Sequence, residues 1–319
     1  MEQTNYIDTS GLTYCGTDAQ RIYSQDIYNL DLRNIGVTFL DGLKGRRKIY
    51  MGNWDEAFQA YSCVFSPDGG VVLDEQYIEP VALKVNKEFC RNEFWDSYLV
   101  SQTEISLRGG IPQSFADWYF DKLRFEMSKE FQEIAFKGDT NYSGSTKQYL
   151  KVTDGWEAQL KANSGVTSVS GSAFTVDNVL SQVEAVIMQG LETAAANETP
   201  TDNFKVLMNY ADVQLLRLSL GKICCPNNQS IFSNYAQGAN GAIIIDGFEV
   251  VPTMQSRNLI IFGDPRNLVL GFDTYDSHLQ YKMIYMGDTT GDDAYRVIAV
   301  TNIGLGIMFA TTFTIGGVI

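Results

Sequence analysis

The run "SFADWYFDKLRFEMSKEFQEIAFKG" at 114–138 sets Phe115, Tyr119, Leu123, Met127, Phe131 and Ile134 at intervals of three and four, one stripe of an α-helix. A stripe of that length can be hidden only against another layer, so the remaining chain must supply elements that pack across it. Ser114 is placed to cap the start, with Asp117 three residues on, and Gly138 reads as the left-handed residue that stops the helix. The predicted helix covers 114–137, about seven turns. The "FKGDTNYSG" that follows, at 136–144, lies at a helix C-terminus, where free carbonyls repel phosphate, and Asp139 alone offers a metal one ligand.

A chain of 319 residues is at the upper edge of what one core supports, roughly 250–300, so two lobes are expected. Its 45% hydrophobic content and 18 Phe and 17 Tyr supply an ordered core. The net charge of -14 opposes a sequence-independent grip on nucleic acid, which needs clustered cations. Five cysteines, Cys15, Cys63, Cys90, Cys224 and Cys225, show neither a disulfide framework nor zinc-like pairing, which fits a reducing site of folding. The start, "MEQTNYIDTS", lacks signal-peptide features, and the apolar stretch at 303–319 reads as a buried strand pair, too short and threonine-rich for a tail anchor.

Residues 1–40 are polar and without a period, and read as an extended arm. From 41 to 85 lie the strand-like pieces "RKIYM", "AFQAYSCVF" and "GVVLDEQYI", the last two joined by "SPDGG", in which Asp68, Gly69 and Gly70 suit the turn of a protruding hairpin. The aromatic spacing of 86–99 predicts a short helix, and 164–172 a Ser/Gly loop. A second helix is expected from Val176 with Thr175 as cap, a buried strand at 204–209, and a third helix over 211–222 ended by Gly221. Beyond 241, strand-like segments separated by Gly, Asp and Asn predict an antiparallel meander, with "GDTTGDD" at 287–293 as a hairpin connection.

Few residues suggest chemistry. His278 beside Asp276 and Ser277 does not make a triad, because neighbours on an extended chain point apart. No nucleotide-binding glycine motif is present, and Cys224-Cys225 has no histidine nearby. Asp288, Asp292 and Asp293 could hold calcium weakly, but lack EF-hand order, and a solvated turn is the simpler reading. Lys44, Arg46, Arg47 and Lys48 form a dense basic cluster in an acidic chain, either a solvated face or a docking point for an acidic neighbouring surface.

Taken in order, the polar arm, the hairpin, the helix ending in "FKGD", then "DGW", "FKVLMNYADVQLLRL", "DGFEVVP" and "IIFGDPRNLVLG" make a recognisable series. The chain resembles the major capsid proteins of tailed double-stranded DNA phages, the Johnson-fold family, with the flavour of those from phages of Bacteroides-type hosts. That resemblance implies an α+β fold with an N-terminal arm (1–40), an extension loop or E-loop (41–85), a peripheral domain (86–160) carrying a spine helix (114–137), an axial domain (161–240) and a β-rich return (241–319). It implies a structural subunit and no enzyme, self-assembling into hexamers and pentamers of an icosahedral or prolate shell around packaged DNA, without sequence-specific binding to it. Lys44, Arg46, Arg47, Lys48, Asp68, Gly69 and Gly70 are then the candidate subunit-interface residues, on a loop that would lie over an adjacent subunit. Portal, scaffolding or decoration proteins are the expected partners, scaffolding being a separate chain if it exists. The expected location is the virion, after assembly in the host cytoplasm, with no membrane, metal or cofactor. No spacing identifies the residues of a covalent cross-link. Within the same fold, the alternative is an encapsulin-type compartment shell.

Overall fold

The computed structural model describes residues 13–15, 32–54, 63, 71–90, 98–101, 103, 115–223, 242–272, 280–287 and 290–318. In chain order they form β1 (Thr13–Cys15), α1 (Leu32–Ile35), β2 (Thr38–Leu40), β3 (Arg47–Trp54), β4 (Val71–Ile78), β5 (Val81–Cys90), α2 (Phe115–Lys137) and α3 (Trp156–Ala162). There follow β6 (Thr167–Ser170), α4 (Val179–Ala196), β7 (Lys205–Asn209), α5 (Tyr210–Ile223), β8 (Ile243–Ile245), β9 (Phe248–Thr253), β10 (Leu259–Gly263), β11 (Leu268–Gly271), β12 (Gln280–Tyr285), β13 (Ala294–Ile307) and β14 (Thr314–Gly317). One sheet runs β1-β12-β13-β11-β2 with β5 also on β13, a second runs β6-β14-β10-β7-β9-β8, and β3 and β4 pair alone.

The second sheet is a wall shared by two cores. Successive strand side chains point to opposite faces, and here both faces are covered. Val206, Met208, Ile260 and Phe262 face a core built with α4 and α5, whereas Leu207, Leu259, Ile261 and Ile315 face a larger core holding α2, α3 and the first sheet. The stripe of α2 is buried there through Phe115, Met127, Phe131 and Ile134. Where its first turns meet the first sheet, Phe89 stacks on Tyr119, ring centroids 4.5 Å apart, and Tyr295 lies 5.6 Å from Phe115.

Gly138 ends α2, but not in the expected left-handed conformation. A Cβ at Gly138 would lie 2.3 Å from Thr153 O, and one at Gly155 would lie 2.7 Å from Gly138 N. Gly155 N–H donates to Gly138 O at 2.8 Å, and Asp139 N–H to Leu150 O at 2.8 Å. Both glycines are required because two backbones touch, a constraint set by partners that lie further along the chain. The loop between them is tied back to α2 by Glu133, which accepts from Lys147 Nζ at 2.8 Å and Tyr149 Oη at 2.5 Å. Burial pushes the Glu133 carboxyl up, and those two hydrogen bonds outweigh it and hold the group below the usual carboxylate value.

Other expectations are corrected. The helix expected over 86–99 begins instead as strand, because Val81, Leu83, Val85 and Phe89 alternate inward and carry β5 through Cys90 against β13; residues 91–97 lie outside the described residues. The second helix starts at Val179, since the Asn178 side chain folds back to accept from Thr175 N–H at 2.7 Å and holds the preceding residues in a turn. Gly221 does not end α5, which continues to Ile223. Within the expected loop at 164–172, Thr167–Ser170 form β6, parallel to β14. The region beyond 241 is not one meander: β9 runs parallel to β7 and β10 sits between β14 and β7, while β8–β9 is a tight hairpin through Asp246 and Gly247 at positive φ and β12–β13 are an antiparallel pair flanking the "GDTTGDD" connection, as expected. The buried segments β13 and β14 are strands of different sheets, not a pair. At the end of the arm segment, Leu32, Ile35 and Val37 are buried in the larger core.

Candidate functional site

The basic cluster lies where the β3–β4 hairpin meets the body. Arg47 pairs with Ile78, and Lys48 with Tyr77, so Glu75 is the diagonal neighbour of Lys48 on the same face. Lys48 Nζ meets Glu75 Oε2 at 2.6 Å, and Tyr77 Oη donates to the same oxygen at 2.8 Å. Hydrogen bonding to Glu75 raises the Lys48 ammonium, and the reciprocal bond from Lys48 lowers the Glu75 carboxyl; both side chains reach solvent, so water and salt screen the pair. The Arg46 guanidinium sits 3.9 Å from the Tyr77 centroid and meets Glu79 Oε1 at 3.1 Å. Two cations thereby approach the Tyr77 ring, each with its own carboxylate.

The four predicted cations thus divide into two kinds. Arg46 and Lys48 are neutralised within the hairpin, whereas Lys44 and Arg47 have no ion-pair partner among the described residues. Asp68, Gly69 and Gly70, assigned to the turn, lie outside the described residues.

Sequence reasoning missed what holds the hairpin down. Leu43 and Ile78, both 1% exposed, cluster with Val269 beneath the hairpin base. They rest on three glycines: a Cβ at Gly271 would lie 2.6 Å from Leu43 Cδ2, one at Gly304 2.6 Å from the same atom, and one at Gly306 2.8 Å from Ile78 Cγ1. The run "GLG" at 304–306, read only as part of an apolar tail, is a floor cleared of side chains. The signal was the alternation of glycine inside a buried strand, which marks a close approach by another segment.

The remaining candidates carry little chemistry. His278, Cys224, Cys225 and Asp288 lie outside the described residues. Asp292 accepts from Thr290 Oγ1 at 2.7 Å and Asp293 from Tyr285 Oη at 3.2 Å, so each is used within its own loop. Among the described residues no group of three His, Cys, Asp or Glu could hold a metal ion, and no helix is long and apolar enough to cross a membrane.

A chain of the "Satellite phage P4 procapsid including size determination (Sid) protein" superposes with a TM-score of 0.63 at 11% identity, over 93% of this chain and 90% of that one. The two chains share an α+β fold. Two further matches agree: "The capsid of Myoviridae Phage XM1", TM-score 0.56 at 13% identity over 91% of this chain and 92% of the other, and the "Capsid of native GTA particle computed with C5 symmetry", 0.56 at 12% over 90% and 89%. No protein-family model matches the sequence, and no curated protein does. The likeness is therefore one of fold, carried by the order and packing of elements and not by shared residues.

Proposed function

We propose that this chain is a major capsid protein, a structural subunit that assembles into hexamers and pentamers of a closed shell around packaged double-stranded DNA. The observation that supports it is a fold shared over nine-tenths of the chain with structures titled as a procapsid and capsids. In this reading the β3–β4 hairpin is the E-loop, α2 the spine helix, the lobe of α4, α5 and the second sheet the axial domain, and the first sheet the peripheral domain. Lys44 and Arg47 would meet an acidic surface of an adjacent subunit, one of many modest contacts that sum into a stable lattice. The net charge of -14 suits a lining that must not grip DNA. Portal, scaffolding or decoration proteins would be the other partners, the virion the final location and the host cytoplasm the site of assembly. Kinship with phages of Bacteroides-type hosts rests on the sequence segments alone.

Negative-stain microscopy of the purified protein tests this. Uniform polyhedral shells or six-membered rings are expected, and a monomer at all concentrations would overturn the reading. Nuclease-protected DNA in particles from the native host distinguishes a capsid from an encapsulin-type compartment, which would hold cargo protein instead. Deletion of residues 53–76 should leave a folded subunit that forms no shells; normal particles would remove the hairpin from the assembly role.

A further inference from the structure

The turn between β9 and β10, residues 254–258, is where the two cores are fastened together, and it is held from several directions. From β7, Asn209 donates to Gln255 O, and Gln255 Nε2 donates to Leu207 O at 3.1 Å and Leu259 O at 2.6 Å. From α5, Asp212, fully buried, accepts from Arg257 Nε and from Asn258 N–H at 2.8 Å. Asn258, at φ 60, accepts from Phe174 N–H through its side chain at 2.7 Å and from Val318 N–H through its carbonyl at 2.9 Å. These contacts all come from the lobe of the second sheet.

One contact comes from the opposite side. Glu157, in the first turn of α3 and 6% exposed, accepts from Ser256 N–H at 2.6 Å. Its helix neighbours Trp156 and Leu160 belong to the larger core. The charged groups that bear on it are Lys161 on its own helix and Lys137 at the end of α2, neither within ion-pair distance, while on the far side of the turn Arg257 is already paired with Asp212. Glu157 therefore differs from Asp212: it is a buried carboxyl bonded by Ser256 alone, through its backbone N–H and side chain, with no paired cation among the described residues.

We propose that Glu157 makes this junction proton-sensitive, gripping the 254–258 turn more firmly when its carboxyl is protonated than when it is ionised. A protonated carboxyl still accepts from Ser256 N–H through its carbonyl oxygen, and removes an unpaired charge from a buried site. Burial raises the Glu157 carboxyl above its ordinary value, and the Ser256 hydrogen bonds and the two lysines only partly offset this. The sign follows. A carboxyl raised in the folded state contributes its full stability below its unfolded value, and that contribution is lost as pH rises through the folded value. Mild acid tightens the junction and alkali slackens it, the reverse of an ion-paired carboxylate.

The test is hydrogen exchange of peptides spanning 254–258 in the full chain, wild type against Glu157→Gln, at matched pH values from 4.5 to 8, so that intrinsic exchange cancels. Gln keeps the acceptor and cannot ionise. The exchange ratio of wild type to variant should be near one at the acid end and rise with pH, by about tenfold for each unit by which the folded carboxyl exceeds its unfolded value. A ratio constant across the range overturns the proposal. Should the variant not fold, titration of the δ-carbon-labelled Glu157 resonance in the wild-type chain decides: a midpoint above the ordinary glutamate value supports the proposal, and one at or below it refutes it.

Discussion

Thr301 carries the one buried side-chain oxygen, among the described residues, that finds no hydrogen-bond partner. It faces the larger core from the middle of β13, and removing an orphaned hydroxyl while keeping the shape recovers its desolvation cost. Thr301→Val should raise stability by about 1 kcal/mol, read as a higher denaturant midpoint at unchanged slope; a fall would mean that the hydroxyl is satisfied in solution. Gly138 is the opposite case, a residue with no room to spare. A methyl there would overlap the backbones of Ile134 and Thr153, neither of which can rotate away as a side-chain end could. Gly138→Ala should cost about 1–3 kcal/mol, and a neutral result in thermal unfolding would show that the 138–155 crossing relaxes freely. The comparison is instructive because sequence alone assigns Gly138 to a positive φ; conformational freedom and lack of volume leave the same letter.

Ile78 packs into the hairpin base over Gly304 and Gly306, where a Cβ would lie 2.8 Å from its side chain in each case. Ile78→Ala should cost about 2–5 kcal/mol locally: amides of β3 and β4 should exchange faster while those of α2 and β13 stay as they were, and uniform protection loss would sink the local anchor. Elements whose period is strong were legible: the stripe of α2 and the strand character of "RKIYM" and "GVVLDEQYI", although the expected partner of the latter across "SPDGG" is "AFQAYSCVF" and β4 pairs instead with β3. Elements defined by distant partners were not. Strand β6 has only Thr167 and Val169 to declare itself and forms because β14 arrives alongside it. Strand β5 was lost for another reason, since a spacing read from Phe89 forward hid the alternation running from Val81. At the candidate site the cations were visible as a cluster, but which of them are spent depended on Glu75 and Glu79 across the hairpin, and register is what decides that.

At the scale of the whole molecule, the two cores share the second sheet as a common wall. Leu207 and Val206 are adjacent residues committed to different cores, so loosening β7 exposes both. Thermal unfolding followed by Trp156 fluorescence in the larger core and by exchange in α4 should therefore give coincident transitions; separated midpoints would show that the lobes unfold independently. The position of β14 adds a matter of timing. It lies between β6 and β10, two strands made long before it, and no other segment occupies that slot. The sheet cannot close until Gly317 has left the ribosome, so a prematurely terminated chain lacks an interior strand and leaves β6 and β10 with open edges. Two bare strand edges are templates for pairing with another chain, so such a fragment is prone to aggregate.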